Sequence, residues 1–506
     1  MHMGAVGITL FAVVLLLELS IFVSPFCWRH KKAIAAVSLL ITDLSVALMV
    51  MAAFSAATVL MALFTLYRAI NTLRLVEVRM HDAYLRRAAL RSMLWLAAAQ
   101  IAALAVWATF ATLPSFLTGT KALTAISMSF AAAGMFVLIS TLKNLRATRV
   151  SMAAPMADID MPTLTVAIAA RNENSALQHC LESVIACDYP KLEVIVLDDC
   201  SQDHTAEVIK SFAHDGVRFV QGEQPNDTWL AKNQAYQTLL EQATGQLILF
   251  MGVDVHLNKT TLRRVVEQFR ARNVTMLSVL PKRTQSGTLA AFIQPMRYWW
   301  ELALPEWIIK HTPVLSTCWI ADRHALIKEG GFKSVMRAII PEEHLSTAFN
   351  KRHAYAFVRT NNEIGLATHK DFKSQWLTAV RTRYPQAHRR PEYVVLRVLI
   401  MLYFLIAPFI VLPLLLSTHA QLATIIMTAI SIVALVVSHV LIVAVTNPIA
   451  LFLALINFPI VVVIDFIALH ISMYRYEFSE VIWRGRDVTT PAMHVIPHLP
   501  ILDDRT

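Results

Sequence analysis

Acidic side chains follow two apolar runs in the middle of the chain. Asp198 and Asp199 come directly after the run Leu192–Leu197, and Asp254 follows the run Leu247–Met251. Carboxylates placed there can accept hydrogen bonds from the base and ribose hydroxyls of a nucleoside, and can hold a divalent cation against a diphosphate. Aspartates at strand ends also cap helices and make turns, so the residues alone favour a nucleotide site and a turn role equally.

The elements that must position these carboxylates alternate along the chain. Four apolar runs predict buried strands: Leu164–Ala170, Leu192–Leu197, Val217–Val220 and Leu247–Met251. Three helical patterns separate or follow them: 176–186, 206–212 and 231–242. This alternation predicts an α/β domain with a mostly parallel sheet and helices on both faces. Loops beyond the carboxyl ends of such strands are where open α/β sheets bind ligands.

The composition indicates a membrane protein. Of the 506 residues 56% are apolar, with a mean hydropathy of +0.53, whereas soluble domains are about 45–50% apolar. The net charge is +10, and the Lys and Arg residues cluster beside the apolar segments. This pattern predicts contact with membrane lipids and no nucleic-acid partner. The five cysteines form no C-x-x-C pair, which favours a reduced, cytosolic setting.

Residues 1–150 predict an N-terminal transmembrane region of four to five helices. Ala5–Ser24, Ser92–Thr112 and Ala122–Leu142 each have about the length of one span. Ile34–Leu66 is long for a single span and short of turn residues for two. Basic loops flank it on both sides, and the positive-inside rule favours a cytosolic location for both of them. Two short spans would bring the chain back to the same side and satisfy this rule.

A second apolar region covers residues 396–472. It predicts about three segments: Val398–Ser417, Leu422–Val445 and Pro448–Ile471. Three full spans would place the tail, residues 473–506, on the side opposite the central domain. The tail sequence described next indicates a cytosolic location instead, so one segment is a candidate for a re-entrant or interfacial helix.

The central stretch carries an ordered set of motifs, with an echo in the tail. They are Ala-Arg-Asn-Glu at 170–173, Tyr-Pro at 189–190, Glu-Val-Ile-Val-Leu-Asp-Asp-Cys-Ser-Gln-Asp at 193–203, Trp-Leu-Ala-Lys-Asn at 229–233, Gly-Gln-Leu-Ile-Leu-Phe at 245–250 and Trp-Arg-Gly-Arg at 483–486. Their order and spacing resemble the membrane-embedded family 2 glycosyltransferases, the group of cellulose, chitin and hyaluronan synthases and ceramide glucosyltransferase-like enzymes. The resemblance covers residues 163–385 and implies a GT-A type domain, about 160–390, inserted between two transmembrane regions.

Carried over position by position, the resemblance implies a donor site. Asp199 would read the base and ribose of the nucleotide, with Asp198, Arg171 and Glu173 lining the same pocket. Lys232 matches the basic residue that lies near the nucleotide.

The family's last cytosolic motif, (Q/R)-x-x-R-W, is altered here to Val-Arg-Thr-Arg-Tyr at 380–384. Arg383 and Tyr384 match it in type, and a guanidinium there would stabilise charge on the leaving diphosphate. The arginines of this segment could also anchor the chain to headgroups, and both roles can hold together.

Two further motifs are altered. Gly252 replaces the first aspartate of the D-x-D metal motif, so Mg²⁺ or Mn²⁺ would depend on Asp254 with diphosphate oxygens and water, and metal dependence is in question. After Gly-Gly-Phe at 330–332 the family's E-D pair reads Glu342-Glu343. Glu343 would then be the catalytic base, with Glu342 as the reserve candidate. The alternative is a solvated acidic pair near a helix start.

The resemblance implies an inverting hexosyltransferase-type enzyme. It would take a nucleotide-diphospho-sugar from the cytosol and deliver the sugar to a lipid or polysaccharide acceptor at a multi-pass, bacterial inner or plasma membrane. The three altered motifs support a different hypothesis, a catalytically impaired relative that acts as a nucleotide-sugar sensor or assembly subunit. The altered last motif favours an enzyme that adds one or few sugars over a processive polymerase. The many spans could equally form a channel for a polymer.

Overall fold

The structure, a computed structural model, describes residues 2–23, 25–52, 120–151, 153–225, 228–284, 298–418 and 420–488, with isolated positions between 69 and 97 and at 296. The chain divides into two compact units. One comprises residues 1–135 and 386–434, and the other comprises residues 136–385 and 435–506. Every residue that the sequence predicts for the site belongs to the second unit.

A seven-stranded sheet forms the centre of the second unit, in the order β3-β2-β1-β4-β8-β6-β9. Its strands are β1 Leu164–Ala170, β2 Leu192–Asp198, β3 Val217–Gln221, β4 Leu247–Met251, β6 Met276–Leu280, β8 Cys318–Asp322 and β9 Tyr355–Arg359. Strand β8 is antiparallel to both neighbours, and the other pairs are parallel. The predicted mostly parallel sheet is confirmed, and the four predicted strands end within one residue of the observed ends.

Helices cover both faces of this sheet because successive strand residues point to opposite sides. On β1, Val166 and Ile168 face one apolar cluster, and Ala167 faces the other. The first cluster is covered by the helices Asn174–Ile185, Thr205–Ser211 and Thr261–Ala271. The second is covered by the helices Ala231–Gln242, Arg323–Lys328 and Pro341–Asn350. The predicted packing of helices on both faces is thereby confirmed.

The register of the parallel strands aligns their carboxyl ends. Ala170 at the end of β1 lies opposite Asp198 at the end of β2, and Asp198 lies opposite Gln221 of β3. On the other side of β1, Ile168 lies opposite Met251 at the end of β4. The loops that follow β1, β2 and β4 therefore leave the sheet at one edge.

A small three-stranded sheet lies beside this edge. Its order is β5-β10-β7, with β5 Val255–His256, β7 Lys282–Thr284 and β10 Ala367–His369. The backbone N–H of His369 donates to the backbone carbonyl of Asp254 at 3.2 Å. This pairing brings Lys370, the residue after β10, next to the loop that follows β4.

Within the described residues, four helices are long and apolar enough to cross a membrane: 123–147, 391–417, 422–446 and 458–477. The third, Leu422–Thr446, and the second, which joins Pro391–Ile400 to Ala407–Ser417 through one π-helical turn, match two predicted spans. In place of a span from Pro448, short helical turns cover 448–454 and the helix Phe458–Phe478 begins ten residues later.

In the first unit the helices His2–Val23, Pro25–Arg29 and Lys31–Ala52 pack together. Lys31–Ala52 is one continuous helix, and residues 53–66 of the predicted hairpin lie outside the described residues. The predicted span Ser92–Thr112 lies outside them almost entirely. At Gly134 an added Cβ would lie 2.8 Å from Ser431 Cα, so a glycine lets the helix Thr120–Ala147 approach Leu422–Thr446 closely.

After the last long helix the chain returns to the sheet edge. The helix Phe458–Phe478 packs against the helix Phe372–Thr382, and it is followed by a hairpin of β11 Ile482–Trp483 and β12 Arg486–Asp487. We call residues 481–488 the tail hairpin. Its contacts, described next, place it against the loops at this edge of the central sheet.

Candidate functional site

The loops after β1 and β2 form one wall of the site. Arg171 donates from its guanidinium to the backbone carbonyls of Asp199 and, at 2.7 Å, of Cys200. The carboxylate of Asp198 accepts a hydrogen bond from the backbone N–H of Ser201 at 3.3 Å. Asp198 and Arg171 therefore fix the loop's shape, and the Asp199 carboxylate is left for other partners.

The tail hairpin supplies those partners. Arg486 donates from Nη1 to both carboxylate oxygens of Asp199, at 2.7 and 2.6 Å. Arg484 forms an ion pair with Glu173, and its backbone carbonyl accepts a hydrogen bond from Arg171 Nε at 2.9 Å. The tail hairpin thus contacts three of the residues predicted to line the donor pocket.

Burial and ion pairing oppose each other at these carboxylates. Burial raises the pKa of Asp199, while Arg486 and then Arg171 act to lower it. Burial likewise raises the pKa of Glu173, and Arg484 opposes that rise. Both carboxylates consequently rely on arginines to remain ionised.

Lys232 and Glu342 form a second group of charges. The Lys232 ammonium makes an ion pair with the fully buried Glu342 carboxylate. Burial lowers the pKa of Lys232, and the charge of Glu342 acts against that decrease. The pair connects the start of the helix Ala231–Gln242 to the start of the helix Pro341–Asn350.

Polar contacts fix the segment that leads to Glu342. The side-chain amide of Asn233 donates to the backbone carbonyls of Val335, Met336 and Ala338, at 3.0, 3.0 and 2.8 Å. Gly331 adopts φ +55°, and an added Cβ there would lie 2.9 Å from the Gln237 side chain. The Gly-Gly-Phe motif is therefore required where this segment packs on the helix Ala231–Gln242.

Glu343 is half-buried beside this ion pair. Burial raises its pKa to about 7, and the charges of Glu301 and Glu342 act in the same direction. A carboxyl group that titrates near neutral pH can both accept and release a proton at that pH. The environment of Glu343 therefore differs from that of a solvated acidic pair, which was the alternative interpretation.

Asp254 lies at the end of β4 with a lysine on its carboxylate. Lys370 Nζ is 3.1 Å from Asp254 Oδ2. At Gly252 an added Cβ would lie 2.8 Å from Asp254 Oδ1, so the carboxylate folds over the glycine. Among the described residues no group of three or more His, Cys, Asp or Glu side chains could hold a metal ion. A divalent ion would fit here only with ligands from the donor's diphosphate and from water.

The two residues of the altered last motif contact a different partner. The Arg383 guanidinium lies 2.6 Å from Asp465 of the helix Phe458–Phe478, and both side chains are buried. Asp465 also accepts from Trp300 Nε1 at 3.0 Å. The backbone N–H of Tyr384 donates to Ser472 Oγ of the same helix at 3.0 Å. The predicted role of Arg383 and Tyr384 at the diphosphate stays a prediction.

Electrostatic contacts connect the groups into one region. The charges of Asp254 and Lys370 act on Glu173, and the charge of Arg381 acts on Lys232. The Arg381 guanidinium lies over the ring of Trp483 in the tail hairpin, 4.8 Å from its centroid. The predicted residues other than Arg383 and Tyr384 are therefore brought to one edge of the sheet.

Sequence reasoning missed several partners of these residues. The tail motif was interpreted only as an indication of location, whereas Arg484 and Arg486 contact the predicted donor residues. Asp465 lies within a predicted apolar span, and a carboxylate in such a segment is a signal for a buried partner. Lys370 and Glu301 carry no motif, and the sequence offers no signal for them.

Comparison with known proteins identifies the central domain. Residues 165–329 match the family model described as glycosyl transferase family 2. Glycosyltransferase AglE of Haloferax volcanii is 30% identical over 121 residues, which are 23% of this chain and 38% of that protein. The 4,4'-diaponeurosporenoate glycosyltransferase of Staphylococcus aureus strain RF122 is 34% identical over 137 residues, 26% of this chain and 36% of that protein. The match thus covers less than two fifths of the length of each of these two curated relatives.

Two solved structures are similar at lower identity. The mannosyltransferase PcManGT from Pyrobaculum calidifontis, in complex with GDP-Man and Mn²⁺, is 16% identical, with a TM-score of 0.41 over 68% of this chain and 99% of that one. TarS 1-349 of S. aureus in complex with UDP is 15% identical, with a TM-score of 0.32, and the match covers 64% of this chain and 95% of that one. The family match and the sheet confirm the predicted GT-A type domain and the resemblance stated above.

Breaking the Lys232–Glu342 pair should destabilise the protein. We expect Lys232→Met to lower the free energy of unfolding by about 3 kcal/mol, because it leaves the fully buried Glu342 carboxylate without a cation. The double variant with Glu342→Gln should recover most of this loss. Arg352→Met, which breaks the more exposed pair with Glu329, should cost only about 0.5 kcal/mol. Chemical unfolding in detergent measures all three, and equal costs for the two single variants would contradict the assignment.

Proposed function

We propose that the protein transfers a sugar, with inversion, from a nucleotide-diphospho-sugar to a lipid or polysaccharide acceptor, since residues 165–329 match the glycosyl transferase family 2 model. The observation that supports this most directly is the convergence of Asp199, Glu173, Asp254 and the Lys232–Glu342 pair on one sheet edge, with Glu343 beside them. The four long apolar helices associate the chain with a membrane. We place the domain on the cytosolic face, where nucleotide sugars are available, and at a bacterial inner or plasma membrane.

Donor recognition would begin at the loop after β2. The Asp199 carboxylate can accept hydrogen bonds from the base and ribose hydroxyls of the nucleotide. In the structure both of its oxygens already accept from Arg486. The nucleotide must therefore displace the tail hairpin or share Asp199 with it.

The diphosphate would lie towards the end of β4. Its negative charge would be attracted by the Lys370 ammonium. A Mg²⁺ or Mn²⁺ ion that arrives with the donor could bind Asp254 and the diphosphate together. Such an ion would neutralise charge on the leaving diphosphate. Lys232 lies in the same region, where its ammonium is paired with the Glu342 carboxylate.

Proton removal from the acceptor would fall to Glu343. In a direct displacement the acceptor oxygen bonds to the anomeric carbon as the diphosphate leaves, and a carboxylate within hydrogen-bond reach takes the hydroxyl proton. A pKa of about 7 leaves much of Glu343 ionised at neutral pH and makes it a competent base. Glu342 is committed to Lys232, which favours Glu343 over the reserve candidate.

Two contacts favour a second function, a nucleotide-sugar sensor or assembly subunit. Arg383 is bound to Asp465 in the interior, and Asp199 is bound to the tail hairpin. Together with the substitutions at Gly252 and Glu343, these contacts would suit a protein that binds a donor without using it. Calorimetric binding of a donor with no turnover of any donor would support this function.

Substitution of the acidic residues tests the transferase proposal. The purified full chain is incubated with a panel of UDP- and GDP-sugars, with and without Mg²⁺ or Mn²⁺, and products are identified by mass spectrometry. Glu343→Gln should lower turnover by about a hundredfold or more, because no group then accepts the acceptor proton. Asp254→Asn should raise the concentration of Mg²⁺ or Mn²⁺ that is needed for half-maximal turnover. Glu207→Gln, at an exposed position, is the control, and activity untouched by both site substitutions would overturn the proposal.

The rate of the proposed reaction should depend on the ionisation of Glu343. Turnover should rise with pH through about 7, because only the deprotonated carboxylate accepts a proton. Glu301→Gln removes a negative charge that raises the pKa of Glu343, so the rising limb should move to lower pH. A pH–rate profile of both proteins measures the shift, and a limb that stays in place would argue against Glu343 as the base.

The tail hairpin should compete with the nucleotide for Asp199. Arg486→Ala should tighten binding of UDP or GDP by roughly fivefold, because the nucleotide no longer competes with Arg486 for the Asp199 carboxylate. Ile482→Ala, at an exposed position of the same hairpin, should leave binding unchanged. Isothermal titration measures both variants. Weaker binding by Arg486→Ala would show instead that Arg486 contacts the donor.

A further inference from the structure

A cavity of about 700 Å³ lies in the second unit, away from the residues of the proposed donor site. Its walls come from four parts of the chain: residues 149–153 after the helix Thr120–Ala147, the helix Thr261–Ala271, the loop 359–364 after β9, and Ala444 and Val445. The last two belong to the apolar helix Leu422–Thr446. The cavity is therefore bounded both by the soluble domain and by the ends of two long apolar helices.

Positive charge dominates the lining. Four cations, Arg149, Arg264, Lys282 and Arg359, face two carboxylates, Glu267 and Glu363. Arg264 pairs with Glu267 at 2.9 Å, so these two charges compensate each other. Lys282 Nζ donates to the neutral side-chain amide of Asn362 at 2.6 Å, which leaves its charge unbalanced.

Arg149 and Arg359 are the least satisfied of these cations. Across the described ranges, neither guanidinium has a hydrogen-bond or ion-pair partner, and both residues line the same cavity. Burial lowers the pKa of Arg359, and the charge of Arg149 lowers it further. Two like charges this close repel each other, and an anion between them would relieve that repulsion.

The backbone keeps the two arginines in place despite this repulsion. The N–H of Arg359 donates to the carbonyl of Thr148 at 2.9 Å, so the strand end and the residues after the apolar helix are tied together. Gln268 exchanges two hydrogen bonds of 2.8 Å with the backbone of Ser151. The cations are thus presented by a framework that forms without any ligand.

The position of the cavity indicates the source of the anion. Arg149 follows the helix Thr120–Ala147 by two residues, and Ala444 and Val445 lie in the last turn of Leu422–Thr446. The ends of membrane-spanning helices lie at the level of the lipid headgroups. The cavity therefore combines unbalanced cations with a location where phosphate groups of lipids are concentrated.

We propose that this cavity binds the phosphate of an anionic lipid headgroup, held by Arg149, Arg359 and Lys282. The planar guanidinium groups can each give two parallel hydrogen bonds to phosphate oxygens, and the lysine adds a point charge. The apolar side chains of Ala444 and Val445 border the path of the lipid's acyl chains. The site is independent of the donor pocket and of the proposed transfer reaction.

Lipid retention by the full-length protein tests the site. The protein in neutral detergent is supplied with phosphatidylglycerol, phosphatidylcholine or inorganic phosphate, and bound molecules are counted by native mass spectrometry. Wild-type protein should retain phosphatidylglycerol in preference to phosphatidylcholine. The double variant Arg149→Gln/Arg359→Gln should bind phosphatidylglycerol about tenfold to a hundredfold more weakly, because two charge-assisted contacts are lost. Lys282→Gln, a milder change, should weaken binding severalfold and serves if the double variant does not fold.

Arg146→Gln is the matched control, because Arg146 is exposed near the end of the same apolar helix and does not line the cavity. It should leave retention unchanged. An equal loss in this control would show general attraction to basic residues and overturn the proposal. Equal retention of phosphatidylcholine would overturn it too. Saturation by inorganic phosphate with no preference for the lipid would show a free-anion site instead.

Discussion

The ion pair between Lys232 and Glu342 joins the helix Ala231–Gln242 to the helix Pro341–Asn350, which carries the proposed base Glu343. Glu342 is fully buried, and a buried carboxylate without a cation would cost several kcal/mol. The pair therefore fixes the first turn of the helix Pro341–Asn350 against the helix Ala231–Gln242. Glu343 follows directly in sequence, so its position and its raised pKa depend on where this pair forms.

The same pairing of a carboxylate with a cation occurs at three other carboxylates of this unit. Asp199 is matched by Arg486, Glu173 by Arg484 and Asp465 by Arg383. In each case the cation comes from a distant part of the chain. Charge compensation consequently ties the segment after the last long helix to the sheet edge, and it connects the donor pocket to the membrane-associated part of the same unit.

The sequence predicts the sheet and its strand ends well, because buried parallel strands give continuous apolar runs. The register then aligns Ala170 with Asp198, the residues directly before Arg171 and Asp199. It predicts site residues only as single positions. Arg486 lies 287 residues from Asp199, and no local pattern encodes such a pairing. The raised pKa of Glu343 depends on Glu301 and on burial, which are properties of the folded chain. The predicted third C-terminal span began too early for a similar reason: short turns precede the helix Phe458–Phe478, and an apolar run does not reveal them.

Gly252 limits how the metal motif of this chain could change. A β-carbon at this position would meet the carboxylate oxygen of Asp254 at 2.8 Å, so a larger residue there requires that carboxylate to shift. An aspartate at position 252 would thus add a second acidic group only with a shift of the first. Because Lys370 holds the other oxygen of the same carboxylate at 3.1 Å, the side chain at position 252 and the ion pair made by Lys370 depend on each other.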